Sequence, residues 1–159
     1  MKDELNNLLE PLYGAKVKSS FSTSGGSINQ TSVLELTNGQ RVFLKQNANA
    51  PRDFFLAETR GLKLLAQAEN GPRIPKPIAV QPGSTPTFLL LEYIESSTED
   101  KNFAERLARS LAQLHRMGQD YFGLDHDNYI GSTPQKNTLE KDGIKFFREQ
   151  RIDFQRQLA

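Results

Sequence analysis

Lys45, Glu58 and the glycine pair Gly25-Gly26 are the residues of this 159-residue chain whose types and spacing suit work on a phosphate. Glycines lack Cβ, so the backbone N–H groups of Ser24-Gly25-Gly26-Ser27-Ile28-Asn29 can approach phosphate oxygens closely. Taken alone, such a pair equally makes a plain loop. Lys45 offers a cation, although most lysines at strand ends only reach water. Glu58 shifts that balance, because Phe54 and Phe55 precede it by one turn and Leu62 and Leu65 follow at helical spacing. A carboxylate on an apolar stripe needs a cationic partner, since an unpaired buried charge costs several kcal/mol. Lys45 is the nearest upstream candidate; the other reading leaves Glu58 solvated at the edge of the stripe.

These side chains need strands and a helix to hold them. Val17 to Thr23 reads as a first strand, and Thr31 to Thr37 and Arg41 to Lys45 as two more, joined at Asn38-Gly39. Asn-Gly between β-branched and apolar runs predicts a type I′ hairpin, with both central residues at positive φ. Phe43 and Lys45, two apart, share one face. Asp53 to Asn70 reads as the helix that carries Glu58, capped by Asp53. Gly61 inside it marks either a close approach of another element or a tolerated surface position. Gly71 to Pro77 breaks that helix. Pro77 to Val80 is a fourth strand, Gln81 to Pro86 a turn, and Thr87 to Ile94 a fifth strand buried on both faces.

A glycine loop between two strands, a lysine on the third and a glutamate in the next helix form the nucleotide-positioning layout of the protein-kinase-like fold. With Leu89-Leu90-Leu91-Glu92-Tyr93-Ile94, Leu114-His115-Arg116 and Asp127-Asn128-Tyr129-Ile130-Gly131-Ser132-Thr133-Pro134-Gln135, the chain resembles the amino-terminal part of a fructosamine kinase (ketosamine 3-kinase). That family lies within the aminoglycoside phosphotransferase and protein-kinase-like superfamily. The resemblance implies an α+β fold: a five-stranded antiparallel nucleotide lobe over residues 1–94, a linker at 95–101, and the first helices of a helical lobe at 102–159.

It also implies ATP with magnesium as cofactors and a ketosamine, a glycated amine, as substrate. In that scheme Gly25, Gly26, Ser27, Ile28 and Asn29 cover the phosphates. Lys45 holds phosphate oxygens and Glu58 holds Lys45, the pair serving catalysis. Leu91 flanks the adenine, and the backbone of Glu92, Tyr93 and Ile94 reads its edge. The family's catalytic aspartate and metal ligands lie downstream of Ala159, so the chain is expected to be inactive alone and to contribute no metal ligand. His126-Asp127-Asn128 does not match the family's His-Gly-Asp with an asparagine five residues on, because position 132 is Ser. His115-Arg116 continues as Met117, so His115 is expected to be packed or hydrogen-bonded in a helix. Family members tend to carry a tryptophan near position 143, where this chain has Gly143.

The remaining segments read as scaffold. Leu5, Leu8, Leu9 and Leu12 give a short amphipathic helix over 3–13. Asn102 with Glu105 resembles a capping box opening a helix that runs to about Met117, striped by Phe103, Leu107, Leu111 and Leu114 and stopped at Gly118. Tyr121 to Asn137 reads as loop, and Leu139 to Ala159 as helical with Ile144, Phe147, Phe154 and Leu158 on one side.

Composition limits the alternatives. Twenty basic residues against 19 acidic give no excess that points to nucleic acid or an anionic membrane. The absence of cysteine excludes a disulfide scaffold, a thiol nucleophile and cysteine-ligated zinc. Met1 to Glu10 lacks the apolar run of a signal peptide, and the longest aliphatic run, Phe88 to Leu91, is far short of a membrane span, so a cytoplasmic protein is expected. Two other functions stay open: a non-catalytic nucleotide-binding or interaction module, and a kinase of aminoglycosides or other small alcohols. The oligomeric state is not legible.

Overall fold

The structure of the protein, a computed structural model, describes residues 1–23, 28–83 and 86–159. Ser24, Gly25, Gly26 and Ser27 lie outside the described residues, as do positions 84 and 85 of the expected turn. The chain divides into two units, residues 1–63 with 74–99, and residues 64–73 with 100–159.

In the first unit Lys2–Tyr13 forms helix α1, closed by Gly14 at φ 62°, whose N–H donates to the Glu10 carbonyl. The strands β1 (Val17–Ser22), β2 (Gln30–Leu36), β3 (Arg41–Asn47), β4 (Pro77–Gln81) and β5 (Thr87–Glu92) make one antiparallel sheet in the order β1-β2-β3-β5-β4. Helix α2, Phe54–Leu65, follows β3.

Alternation along the strands separates two sheet faces. Leu34 and Leu36 of β2, Val42 and Leu44 of β3, and Phe88 and Leu90 of β5 join Leu5 and Leu9 of α1 in one buried cluster. The intervening residues put Phe43 opposite Leu91, and Lys45 opposite both Thr31 and Leu89, on the other face. Strand β5 is buried from Thr87 through Leu91, so the continuous apolar run does serve both faces. It ends at Glu92, two residues before the expected limit, whereas β3 runs two residues past Lys45.

The turn between β2 and β3 differs from the expected type I′. The Gly39 N–H donates to the Leu36 carbonyl, and the Leu36 N–H to the Gln40 carbonyl. Only Gly39 of the central pair has a positive φ, 82°. This is a three-residue loop with glycine at the left-handed position. Asn38 keeps an ordinary φ because its side chain has other work: Oδ1 accepts from the Gln40 N–H and Nδ2 donates to the Tyr13 carbonyl, each at 3.0 Å. The hairpin is thereby tied to the end of α1.

Helix α2 stops at Leu65, five residues short of the expected Asn70, and Leu65 is exposed. Among the described residues nothing lies within 4 Å of a Cβ placed at Gly61, so no described element approaches that glycine closely.

The second unit contains α3 (Phe103–His115), a hairpin of β6 (Asn128–Ile130) and β7 (Thr133–Gln135), α4 (Gly143–Phe146), a π-helical segment Phe147–Asp153, and α5 (Phe154–Leu158). The expected capping box at Asn102 does not form. Asp100 takes that place, its carbonyl accepting from the Phe103 N–H and its carboxylate from the Asn102 N–H and Arg106. Arg106 beside Asp100 lowers the carboxyl's pKa. Glu105 instead pairs with Arg109 one turn on. Arg116, in right-handed geometry, ends α3, and Gly118 has no positive φ. No residue of α3 is buried, and the expected stripe of Phe103, Leu107 and Leu111 is 39%, 41% and 37% exposed. His115 is exposed, with no side-chain partner among the described residues, contrary to the packed role expected.

Near the carboxyl end the helix starts at Gly143, where Asp142 accepts from the Ile144 and Lys145 N–H groups. Phe146 is the buried aromatic there, whereas Ile144 and Phe147 of the expected stripe are exposed. A Cβ on Gly143 would lie 2.6 Å from the Phe122 ring, so an aromatic from elsewhere in the chain occupies the space beside this glycine. Among the described residues no helix is long and apolar enough to cross a membrane.

If α1 is part of the first unit's core, Leu9→Ala, which empties a fully buried position, should cost about 2–5 kcal/mol in urea unfolding. A loss below about 0.5 kcal/mol would mean that α1 contributes no packing.

Candidate functional site

Lys45 sits on β3 between β2 and β5, and Glu58 lies in the second turn of α2, whose start is set by the Ala57 N–H donating to the Asp53 carbonyl. Lys45 Nζ donates to Glu58 Oε1 at 2.5 Å, with the two side chains 21% and 26% exposed. Each charge is largely out of water and is satisfied by the other, which fixes Lys45 on the α2 side of the sheet. Phe55, fully buried and edge-on to Phe54 at 5.3 Å between ring centroids, anchors the turn before Glu58. The helix therefore presents a carboxylate, and the sheet a lysine, from two rigid elements.

This ion pair forms one wall of a cavity of about 650 Å³ within the first unit. Phe43, Leu62, Leu91 and Ile94 give it apolar surface, and Glu92 and Tyr93 also line it. The space is large enough for a flat heterocycle with a charged extension toward Lys45.

Two contacts that sequence reasoning missed hold the rim. Arg41 stacks its guanidinium over Tyr93, 4.8 Å from the ring centroid, and bonds Glu95 Oε1 at 2.8 Å, which raises the arginine's pKa. The exit of β5 is thus tied to the start of β3. The Glu92 N–H donates to the Lys76 carbonyl, and Glu92 Oε2 accepts from the Lys76 N–H. The second contact is Asn47, whose Nδ2 donates to the Ile28 carbonyl and to Asn29 Oδ1, each at 3.0 Å. Ile28 and Asn29, the described part of the glycine stretch, line the cavity; Gly25, Gly26 and Ser27 fall outside the described residues. By sequence this strand ends at Lys45, so Asn47 offered no signal beyond standing two residues past Lys45, a spacing that shares its face once the strand extends to Asn47.

The family model described as fructosamine kinase matches residues 1–159. The chain belongs to the fructosamine kinase family. It is 37% identical to the probable ketoamine kinase of Enterococcus faecium over 135 residues, covering 85% of this chain and 46% of that protein. It is 36% identical over 143 residues to the chloroplastic protein-ribulosamine 3-kinase of Arabidopsis thaliana, covering 87% of this chain and 42% of that one. The chain spans about half the length of the curated relatives it matches. Its fold superimposes on the crystal structure of a "putative fructosamine-3-kinase" from Haemophilus somnus with TM-score 0.83 and 31% identity, over 96% of this chain and 52% of that one. A second such structure, from Thermobifida fusca, gives TM-score 0.75 at 27% identity, over 95% of this chain and 52% of that chain. The α+β, protein-kinase-like architecture of the family is therefore that of this chain.

The run Asp127 to Gln135, which resembles the family most specifically, forms the β6–β7 hairpin of the second unit, where a loop was expected. Its organising side chain is Asn137, which is 2% exposed. Asn137 Nδ2 donates to the His126 carbonyl and Asn128 Oδ1, and its Oδ1 accepts from Arg151. Arg151 also donates to the Lys136 carbonyl and stacks over Phe146, and its burial lowers its pKa. Asp127 accepts from Lys136 Nζ at 2.7 Å and from the Asn137 N–H at 3.0 Å. Its carboxylate is thus committed to holding the hairpin, in keeping with the failed match of His126-Asp127-Asn128 to a catalytic sequence. Among the described residues no group of three His, Cys, Asp or Glu could hold a metal ion.

The hydrogen bond from Lys136, with that from the Asn137 N–H, lowers the Asp127 pKa. A depressed folded-state value means that this contribution to stability is present above the unfolded carboxylate value of about 3.9 and lost as pH falls through the lowered one. Asp127→Asn should therefore flatten the acid limb of the stability profile below about pH 4, read by urea unfolding at stepped pH. An unchanged limb would remove Asp127 from the hairpin's support.

Proposed function

We propose that this chain supplies the nucleotide-binding lobe, hinge and first helical segments of an ATP-dependent kinase that phosphorylates ketosamines on a sugar hydroxyl. Residues 1–94 would be the nucleotide lobe, 95–101 the linker and 102–159 the start of the helical lobe. The observation that carries the reading is the Lys45–Glu58 ion pair in the wall of an apolar cavity bounded by the end of β5. The names of the relatives, ketoamine kinase and protein-ribulosamine 3-kinase, support a ketosamine over an aminoglycoside as substrate.

The residues lining the cavity suit the nucleotide part of MgATP. The apolar surfaces of Phe43, Leu62, Leu91 and Ile94 suit a purine, and the backbone from Glu92 to Ile94 can offer a carbonyl and an N–H to its edge. Lys45 would hold phosphate oxygens, oriented by Glu58, while the backbone of Gly25, Gly26, Ser27, Ile28 and Asn29 would cover them. Bound MgATP would supply the phosphoryl group and its neutralising metal. Glu58, by accepting from Lys45, keeps the ammonium from folding toward solvent and lowers the entropic cost of engaging phosphate. Stacking by Arg41 on Tyr93 stiffens the segment that would read adenine.

The aspartate that activates the sugar hydroxyl and the magnesium ligands are assigned to sequence matching the remaining half of the relatives. The repair of glycated amines would be the role of the whole enzyme, in the cytoplasm. The 159 residues alone are then expected to show no phosphate transfer to a fructosamine in a coupled assay. Turnover above background would place a catalytic base within them.

For the nucleotide site, MgATP should raise the parent's melting temperature, and Lys45→Ala should abolish that shift and weaken ATP binding by at least about tenfold. Unchanged affinity in Lys45→Ala would exclude the lysine from phosphate binding and, with it, this reading of the cavity.

A further inference from the structure

Strand β3 passes from the exit of β5 to the Ile28–Asn29 segment, and the Lys45 cavity lies along it. In its register with β5, Val42 stands opposite Glu92 and Asn47 opposite Thr87, so Asn47 lies about 17 Å along the strand from Val42. Lys45 falls between them, two residues before Asn47 and on the same face. A ligand whose base meets Glu92 to Ile94 and whose charged extension meets Lys45 therefore runs toward Asn47.

Asn47 does not itself line the cavity, but Ile28 and Asn29 do, and it holds both. Its Nδ2 donates to the Ile28 carbonyl and to Asn29 Oδ1, each at 3.0 Å, and its Oδ1 accepts from the Asn49 N–H at 2.8 Å. The whole amide is thus in use. Its orientation is set by the backbone, because the Asn49 N–H can only donate and the Ile28 carbonyl can only accept. Aspartate could keep the first of these contacts but would set a carboxylate against the Ile28 carbonyl, and leucine of similar shape could keep neither. The turn to Asn49 needs only the side-chain oxygen, which aspartate supplies equally well. The two donated bonds go instead to residues 18 and 19 positions upstream, on the wall of the cavity that Lys45 also lines.

We propose that Asn47 is a positioning residue for the phosphate end of the nucleotide site, acting through Ile28 and Asn29, and that it sets the preference for a phosphorylated nucleotide over the bare nucleoside. The proposal rests on the nucleotide reading of the Lys45 cavity. Asn47 holds the Ile28–Asn29 segment where its backbone meets phosphate oxygens engaged by Lys45. The base end, bounded by Glu92 to Ile94, does not depend on it.

Titrating the protein with MgATP by calorimetry, and with adenosine by ligand-observed NMR, separates the two ends. Asn47→Leu should weaken MgATP binding about fivefold or more, the scale of its lost hydrogen bonds, and leave adenosine affinity within about twofold of the parent's. Asn47→Asp, which retains the acceptor for the Asn49 N–H, should lose at least as much MgATP affinity as Asn47→Leu. Asn29→Ala, a change outside any strand or helix that removes one of the two acceptors, should lose about twofold to threefold. Unchanged MgATP affinity in Asn47→Leu, or in Asn29→Ala should the leucine variant fail to fold, would overturn the role of Asn47. Retention of affinity in Asn47→Asp would reduce Asn47 to a turn residue, and an equal loss for adenosine would reduce it to a structural one; either result overturns the proposal. A parent that binds no MgATP, or no adenosine, would overturn the nucleotide reading and this proposal with it, so the two failures are distinguishable.

Discussion

A half-buried ammonium must find a carboxylate, and in this chain that constraint links the sheet to α2. Lys45 on β3 and Glu58 on α2 each sit where water is largely excluded, and either one left alone would carry the desolvation cost of an unpaired charge. Everything that fixes the pair follows from apolar packing around it. Leu89 on β5, opposite Lys45 in the register, is fully buried, and Phe55 fixes the preceding turn of the helix. The site is thereby preorganised before any ligand arrives, which is the condition for a lysine to hold phosphate at little entropic cost.

The sheet divides its labour by face. One face carries the leucine cluster under α1 and needs no chemistry to be stable. The other carries Phe43 and Leu91 together with Lys45, whose charge interrupts the apolar pattern beside the cavity. Such an interruption is tolerated because the stabilising core lies on the opposite side. The rim contacts of Arg41 with Tyr93 and of Asn47 with Ile28 and Asn29 extend the same plan, since each ties a segment beside the cavity back to β3. Strand β3 is the common anchor of the site.

Strands, the Lys–Glu pairing and the family were legible in the sequence because they rest on alternation, on the cost of an unpaired charge and on local runs of residues. Three of the failures share a cause, competition for a side chain that spacing cannot reveal. Asn38 was expected at positive φ, but its amide serves Tyr13 and Gln40, which favours the three-residue loop. Asn102 and Glu105 have capping-box spacing, yet Asp100 satisfies the helix start and Arg109 takes Glu105. Asp127 to Gln135 read as loop because its hairpin depends on Asn137 and Arg151, the latter many residues downstream. The apolar stripe over Ile144 and Phe147 followed α-helical spacing, whereas Phe147–Asp153 is π-helical and Phe146 is the residue buried.

The central claim is that Glu58 acts on nucleotide binding through Lys45 and by no other route. A double-mutant cycle on MgATP affinity tests it, using Lys45→Met, Glu58→Gln and the pair together. Strong coupling is predicted: each single change weakens binding, and Glu58→Gln adds almost nothing once Lys45 is gone. Additive losses would show that the two residues act independently, and would contradict the account.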